Sequence, residues 1–419
     1  MSVEGFTVTL FGLRAQRGRW LLIPVGMVLL LCLGTVYSWS VFRTPLAHEL
    51  QLNATSSLLP YATALVFYAT LMPITGYYLR RWGSRAVTVI GGILVTAGYL
   101  GASVANSALA LTLSYGVVVG TGVGMVYGVP MAVVAAWFPD RKGLAVGATI
   151  VGFGLSPLIT APLANRLIEA LSVRTTLQIL GVAFGLIIAT GALWMRFPPV
   201  AWQGVVAPRQ RTVAPVSYPP RLLRSRSFYG LWSCYALGSF IGLSSIGISG
   251  AVAQEVIGLT PTAAAASVSL FAVFNGLSRP LMGWLGDRCR PSHVAMAIFS
   301  CTLVAALLMT HAQSGDQWLF RVAFALLWFC LGGWLAMAPT FTLRFFNPAD
   351  YAKNYGLVFT AYGVGALLGT LVSGQLRDRL GSYTAVFYVM AGLGVMGILL
   401  AATLLKPDRS ASGANRDQP

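Results

Sequence analysis

Arg279 is the charged residue that the sequence places inside an apolar span, in the stretch FAVFNGLSRPLMGWLGDRCR. The run from about 262 to 286 is long enough to cross a bilayer as a helix, with Arg279 roughly 10 Å inside its charged end. An arginine near the centre of such a helix costs about 2.5 to 3.5 kcal/mol and needs a partner or a wet cavity. The chain offers no obvious partner. Its eleven acidic residues, Glu4, Glu49, Asp140, Glu169, Glu255, Asp287, Asp316, Asp350, Asp378, Asp408 and Asp417, fall at expected span ends, loops or tails. A guanidinium presents a fork of donors that matches a carboxylate through paired hydrogen bonds, so the missing anion reads as a carboxylate from outside the chain. The competing reading is an arginine whose flexible stem lets its charge reach the interface.

Asn275 stands one turn before Arg279, and residues at i and i+4 share a helix face. Its amide could complete the hydrogen bonds to a bound carboxylate, or serve as an interhelical hydrogen bond. Tyr37 in GTVYSWSVF and Tyr127 in GMVYGVP each add an apolar ring and a hydroxyl, which suits a small organic acid. Membrane tyrosines also act as interface anchors. The spans hold no pair of nucleophile and base, no metal-ligand cluster and no acid for general catalysis, so an enzyme, a metal and a cofactor are not expected. Cys32, Cys234, Cys289, Cys301 and Cys330 are odd in number and scattered, which fits neither a disulfide framework nor a metal site.

The elements that must position these groups are helices in a membrane. With 56% hydrophobic and 9% charged residues, the 419-residue chain is too apolar for a soluble domain. About twelve segments of spanning length lie near 20–42, 55–79, 86–106, 108–138, 142–168, 174–196, 227–254, 262–286, 293–313, 317–346, 351–378 and 383–405. The net charge of +17 is explained by topology, with no nucleic-acid partner implied. If the N-terminus is cytoplasmic, 21 of the 28 Lys and Arg residues lie in cytoplasmic segments, six lie outside, and Arg279 is the remainder. The longest polar interruption, rich in proline, splits the spans six and six. The expected organisation is a first six-helix bundle (1–196), a cytoplasmic linker (197–226), a second bundle (227–408) and a tail (409–419), with both termini cytoplasmic in a cell membrane.

The two halves align with each other. LMPITGYYLRR and SRPLMGWLGDR match Pro73 with Pro280, Gly76 with Gly283 and Arg81 with Arg288, all 207 residues apart. WFPDRKGLAVGATIVGFG and FFNPADYAKNYGLVFTAYG match Pro139 with Pro348, Gly147 with Gly356, Phe153 with Tyr362 and Gly154 with Gly363, 209 apart. The expected fold is therefore an all-α membrane protein of twelve helices in two parallel six-helix repeats. That layout resembles the major facilitator superfamily, which implies a substrate site near the midplane between halves that rock on one another. The superfamily's G-x-x-x-D-R loop appears as Gly283, Asp287 and Arg288. In the first repeat Gly76 and Arg81 remain but Arg80 replaces the acid. The resemblance implies a cytoplasmic gate at these positions and a carrier active as a monomer in the lipid bilayer. Arg279 occupies the place that Met72 holds in the first repeat, so the fold itself does not demand a charge there.

Four strings, VYSWSVF, GVGMVYGVPMAVVAAWFPDRKGLA, FNGLSRPLMGW and KNYGLVFTAYG, are similar to the oxalate:formate antiporter family and its monocarboxylate transporter relatives. The resemblance implies that Arg279 binds a substrate carboxylate and that Tyr37 and Tyr127 belong to the cavity wall. Two departures bear on the substrate. Tyr362 stands where the oxalate carrier has a lysine, so a dianion would meet one charge instead of two. Leu331 and Leu335 replace aromatic residues of its tenth helix, which implies an aliphatic floor. The expectation is a carrier of small monocarboxylates such as lactate or pyruvate by proton-coupled symport, with oxalate and formate exchange as the alternative. Asn275 stands where animal relatives carry an aspartate, so the usual proton carrier is missing.

Overall fold

The computed structural model describes residues 9–199, 202, 222–346 and 351–405; the expected linker lies largely, and the tail wholly, outside these. Among the described residues twelve helices are long and apolar enough to cross a membrane. They are α1 (Ala15–Glu49), α4 (Ala108–Trp137), α2 (Ala54–Trp82), α3 (Ser84–Ser103), α5 (Lys142–Ala170), α6 (Val173–Ala192), α7 (Arg226–Glu255), α8 (Pro261–Arg288), α9 (Pro291–Thr310), α10 (Gln317–Phe345), α11 (Tyr351–Leu380) and α12 (Thr384–Thr403). The chain is a multi-pass membrane protein. Side chains such as Leu109, Leu186 and Leu277 are exposed on the outside, as lipid-facing positions must be, while each backbone satisfies its hydrogen bonds within its own helix.

Local chemistry sets the helix ends. Asn53, Ser107, Ser172, Ser225 and Thr260 each accept the backbone N–H three residues on, and Pro261 follows Thr260 at the first helical position. Gly83, at φ +79°, turns the chain from α2 into α3 with a conformation that a side chain would strain. One element lies beyond the all-helical expectation. Thr9–Leu10 and Leu13–Arg14 pair as a short antiparallel hairpin, β1 and β2, around Phe11 and Gly12, both at positive φ. Phe11 stacks on Trp194 with ring centroids 4.2 Å apart, which ties the hairpin to the end of α6.

Small residues let the helices approach. In α4, Gly116, Gly120 and Gly124 face α2 closely enough that a Cβ on Gly120 would lie 2.6 Å from the Ala64 carbonyl oxygen. Gly128, the fourth glycine of that row, faces open space. Gly365 and Gly369 of α11 approach α7 in the same way. The first six helices meet the last six along two antiparallel seams, α2 with α11 and α5 with α8, and where α1 touches α7. Gly356 sits against Pro73, Gly363 against Ala69, and Gly374 against Thr55, so the α2/α11 seam is in contact along its length. The α5/α8 seam differs: Gly276 packs on Leu155, but Gly143, Gly147 and Gly283 face open space.

At the end of the bundle opposite the described termini, hydrogen bonds cross between the two sets of helices. Asp378 of α11 accepts from the Ala54 and Thr55 amides that open α2, at 2.8 and 2.9 Å. The Ser249 hydroxyl of α7 donates to Ser40 of α1 at 3.1 Å, and Thr262 donates to Glu169 at 2.8 Å. Arg43 donates to Ser57 at 2.8 Å and to the Tyr383 hydroxyl at 2.5 Å. Arg43 is buried within α1, so Arg279 is not the only cation enclosed by a span. The helix runs to Glu49, past the apolar stretch visible in sequence, and so takes in a residue that reads as a span end.

At the end near the described termini, Arg19 clamps Asp140, in the loop between α4 and α5, through contacts of 2.5 and 2.9 Å. These hydrogen bonds from Arg19 hold the Asp140 carboxyl below its ordinary value of 3.8. A carboxyl depressed by folding contributes stability above its unfolded value and loses it as pH falls through the folded one. Asp140→Asn is therefore expected to cost about 1 to 3 kcal/mol at pH 7. In thermal unfolding in detergent, the gap between natural chain and variant should close as the pH drops below 3.8.

Candidate functional site

Arg279 lies on the second half of α8, buried at 5% exposure. Its guanidinium turns across the α5/α8 seam and does not reach for the interface. Nη1 donates to the backbone carbonyl of Ile150 on α5 at 3.0 Å, and Nη2 donates to Asn275 Oδ1, also at 3.0 Å. Nε is buried with no hydrogen-bond partner among the described residues. Two small residues make room: Gly276 one turn earlier lets Leu155 approach, and a Cβ on Gly154 of α5 would lie 3.0 Å from Cζ, Nε and Nη2. Pro280, next in sequence, has no N–H to offer the helix and fixes the turn that carries the arginine.

Of the two roles that its position in sequence allowed, Asn275 takes the interhelical hydrogen bond. Its oxygen faces Arg279, and Nδ2 donates to the Trp328 carbonyl of α10 at 2.9 Å. The amide is fully buried, so the two bonds fix its orientation and hold the guanidinium at its partner's side.

The tyrosines gather nearby. Tyr37 sits where α1 tightens into a 3-10 turn at Thr35–Ser38, and its hydroxyl shares a 2.7 Å hydrogen bond with that of Tyr362 on α11. Both rings are fully buried. Tyr127 joins the group through rings: its centroid is 5.1 Å from Phe153 and 4.9 Å from Tyr68. Phe153 in turn stands 5.0 Å from Tyr37, edge to face, and Tyr68 stands 5.6 Å from Tyr362. Four helices, α1, α2, α4 and α5, thus present one aromatic wall to α8, α10 and α11.

Leu331 and Leu335 are also buried, but Leu331 packs on Gly242 of α7. The α10 residue in ring contact with Tyr37 is Trp328, at 6.5 Å, whose Nε1 is buried without a hydrogen-bond partner among the described residues. Tyr68, Phe153 and Trp328 escape sequence reasoning. Tyr68 is a mid-span tyrosine like Tyr127 and carried the same signal; Trp328 and Phe153 look like ordinary core aromatics until the helices are assembled. At the positions expected to form a gate, Gly76 and Gly283 face open space. Arg81 and Asp287 are exposed, and Asp287 has no ion pair within 4.0 Å among the described residues. Arg288 lies over the ring of Trp284, 4.4 Å from its centroid.

The described residues form a bundle of twelve apolar helices with a charge enclosed at the seam between its halves, and the family match makes the chain a non-enzymatic membrane carrier. The chain belongs to the Major Facilitator Superfamily, whose model matches residues 25–267 and 236–419. It is 29% identical to the oxalate:formate antiporter of Oxalobacter formigenes over 92% of this chain and 91% of that one. It is also 27% identical to monocarboxylate transporter 11 of Mus musculus, covering 87% and 82% of the two chains. Among solved structures, a mutant of the nucleoside transporter NupG matches with a TM-score of 0.70 at 14% identity, covering 93% of this chain and all of that one. A mutant of the peptide transporter POT in complex with sulfate matches at 0.72 and 12% identity, covering 95% and 96%. At such identities these two show the shared fold alone.

The Tyr37 and Tyr362 hydroxyls should be energetically coupled. Tyr37→Phe and Tyr362→Phe each leave a buried hydroxyl unpaired and are expected to cost about 1 to 3 kcal/mol. The double variant should cost less than the sum by about 1 kcal/mol. Additive effects in thermal unfolding would show that the two hydroxyls do not act together.

Proposed function

We propose that this carrier moves small monocarboxylates, lactate and pyruvate being the model substrates, by alternating access. The observation that carries the reading is the Arg279 guanidinium, enclosed between the halves with no acidic side chain paired to it among the described residues. A charge in that setting attracts an anion strongly, because little water screens it. In this reading Arg279 clamps the carboxylate and Asn275 holds the clamp. Tyr37, Tyr127 and Tyr362 offer polar-tipped walls, and Leu331 and Leu335 an aliphatic floor. Tyr362 supplies a hydroxyl and no charge, so a second carboxylate of a dianion would be left unpaired at a cost of several kcal/mol.

The residues 1–196 and 227–408 form the two rocking units in this proposal, joined by 197–226 and followed by the tail 409–419. The distribution of Lys and Arg puts both termini in the cytoplasm. Gly76, Arg81, Gly283, Asp287 and Arg288 then lie at the cytoplasmic gate. The carrier works as a monomer in a cell membrane and moves a proton with each acid, carried on the substrate or through hydroxyl-linked water. Oxalate and formate exchange is the second reading, supported by the similarity to the antiporter of Oxalobacter formigenes.

Uptake of labelled lactate and labelled oxalate into proteoliposomes separates the two. Lactate uptake is expected to exceed oxalate uptake and to rise when the outside is acidified. Arg279→Ala should reduce it at least a hundredfold, since removing a charged hydrogen-bond partner costs about 3 kcal/mol or more. Better uptake of oxalate, or indifference to the pH gradient, would favour exchange.

A further inference from the structure

Arg279 belongs to the second half of the chain and Ile150 to the first, so their 3.0 Å hydrogen bond ties the two halves together at the site itself. The Ile150 carbonyl also lies four residues before Gly154, whose N–H is its helical donor. In an ordinary helix the side chain at i+4 leans back over the carbonyl at i and shields it. Glycine at 154 removes that shield. The guanidinium fills the space left, with Cζ, Nε and Nη2 all 3.0 Å from where a Cβ would stand. The carbonyl therefore has a lone pair open to Nη1, while Nε is buried without a partner among the described residues.

We infer that the Ile150 carbonyl is an internal stand-in for the substrate carboxylate, and that Gly154 is the positioning residue that admits Arg279 to it. This rests on the reading of Arg279 as the carboxylate clamp. In the empty carrier the guanidinium bridges the seam and resists movement of one half on the other. An arriving carboxylate takes the Nη1 donor, breaks the bridge and frees the halves to rock. Binding is then coupled to the conformational change through one differential contact, which is what a population shift requires. The consequence is a carrier that returns slowly when empty and fast when loaded.

The repeat supplies its own control. Gly363 is the counterpart of Gly154, and a Cβ there would lie 3.0 Å from the Ala69 Cβ, an equal crowding of the other seam away from any charge. The experiment compares lactate-for-lactate exchange with net lactate efflux in proteoliposomes for the natural chain, Gly154→Ala and Gly363→Ala. Exchange should outpace net efflux in the natural chain. In Gly154→Ala the ratio should fall about tenfold, the worth of one hydrogen bond to a charged group, because net efflux speeds up relative to exchange. In Gly363→Ala it should stay as it is. An ester in place of the amide at Val151 weakens the Ile150 carbonyl as an acceptor without adding an atom, and must move the ratio the same way. A ratio unchanged in Gly154→Ala and the ester, a ratio lowered equally in Gly363→Ala, or net efflux as fast as exchange in the natural chain would overturn the inference. If Arg279→Ala binds and moves lactate and oxalate as the natural chain does, the clamp reading has failed instead.

Discussion

Keeping a guanidinium charged inside a membrane protein is the constraint on which the site depends. A buried arginine cannot give up its proton, so its donors must be met by oxygen atoms or by a ligand. Here a neutral carbonyl and a neutral amide oxygen meet Nη1 and Nη2, and Nε is left over. Neutral acceptors soften the cost of burial without cancelling the charge. The site keeps its attraction for an anion because no carboxylate side chain quenches it among the described residues.

The surroundings follow from that constraint. Asn275 is held toward Arg279 by the Trp328 carbonyl of α10, and the Trp328 ring also meets Tyr37 edge to face. Phe153 and Gly154 are neighbours on α5, one closing the aromatic wall and the other opening a groove for the guanidinium. Aromatic rings from four helices form the wall, while hydroxyls at Tyr37 and Tyr362 keep a polar edge on it. The arrangement joins residues from both halves, so any motion of one half on the other must remake it.

The two seams are not equivalent, although the sequence repeat makes them related. The α2/α11 seam is in contact from Gly374 to Gly356, and hydrogen bonds at Asp378, Ser249, Glu169 and Arg43 close the end opposite the described termini. On the α5/α8 seam Gly147 faces open space, where its repeat partner Gly356 meets Pro73. Small residues allow close contact in one state without interlocking side chains that would block another.

The apolar runs determined the twelve helices, since a backbone in lipid has few ways to satisfy its hydrogen bonds. The repeat of Pro73 with Pro280 and Gly154 with Gly363 exposed the pairing of the halves, and an unmatched arginine beside an asparagine marked Arg279 and Asn275. These features are local in sequence or recur at one fixed offset, so they can be read along the chain. Leu331 was legible as buried but not as a neighbour of Gly242, and Arg43 read as a span end when it is enclosed. Tyr68 carried the same mid-span signal as Tyr127, but Phe153 and Trp328 gave no distinct one, because an aromatic residue in an apolar helix looks alike whether it faces lipid, core or site. Which face of each helix meets which neighbour, and therefore that Arg279 ends against the Ile150 carbonyl, was decided only by tertiary packing. Those contacts join residues more than a hundred positions apart, and they depend on helix rotations that hydrophobicity, nearly uniform around a membrane helix, does not specify.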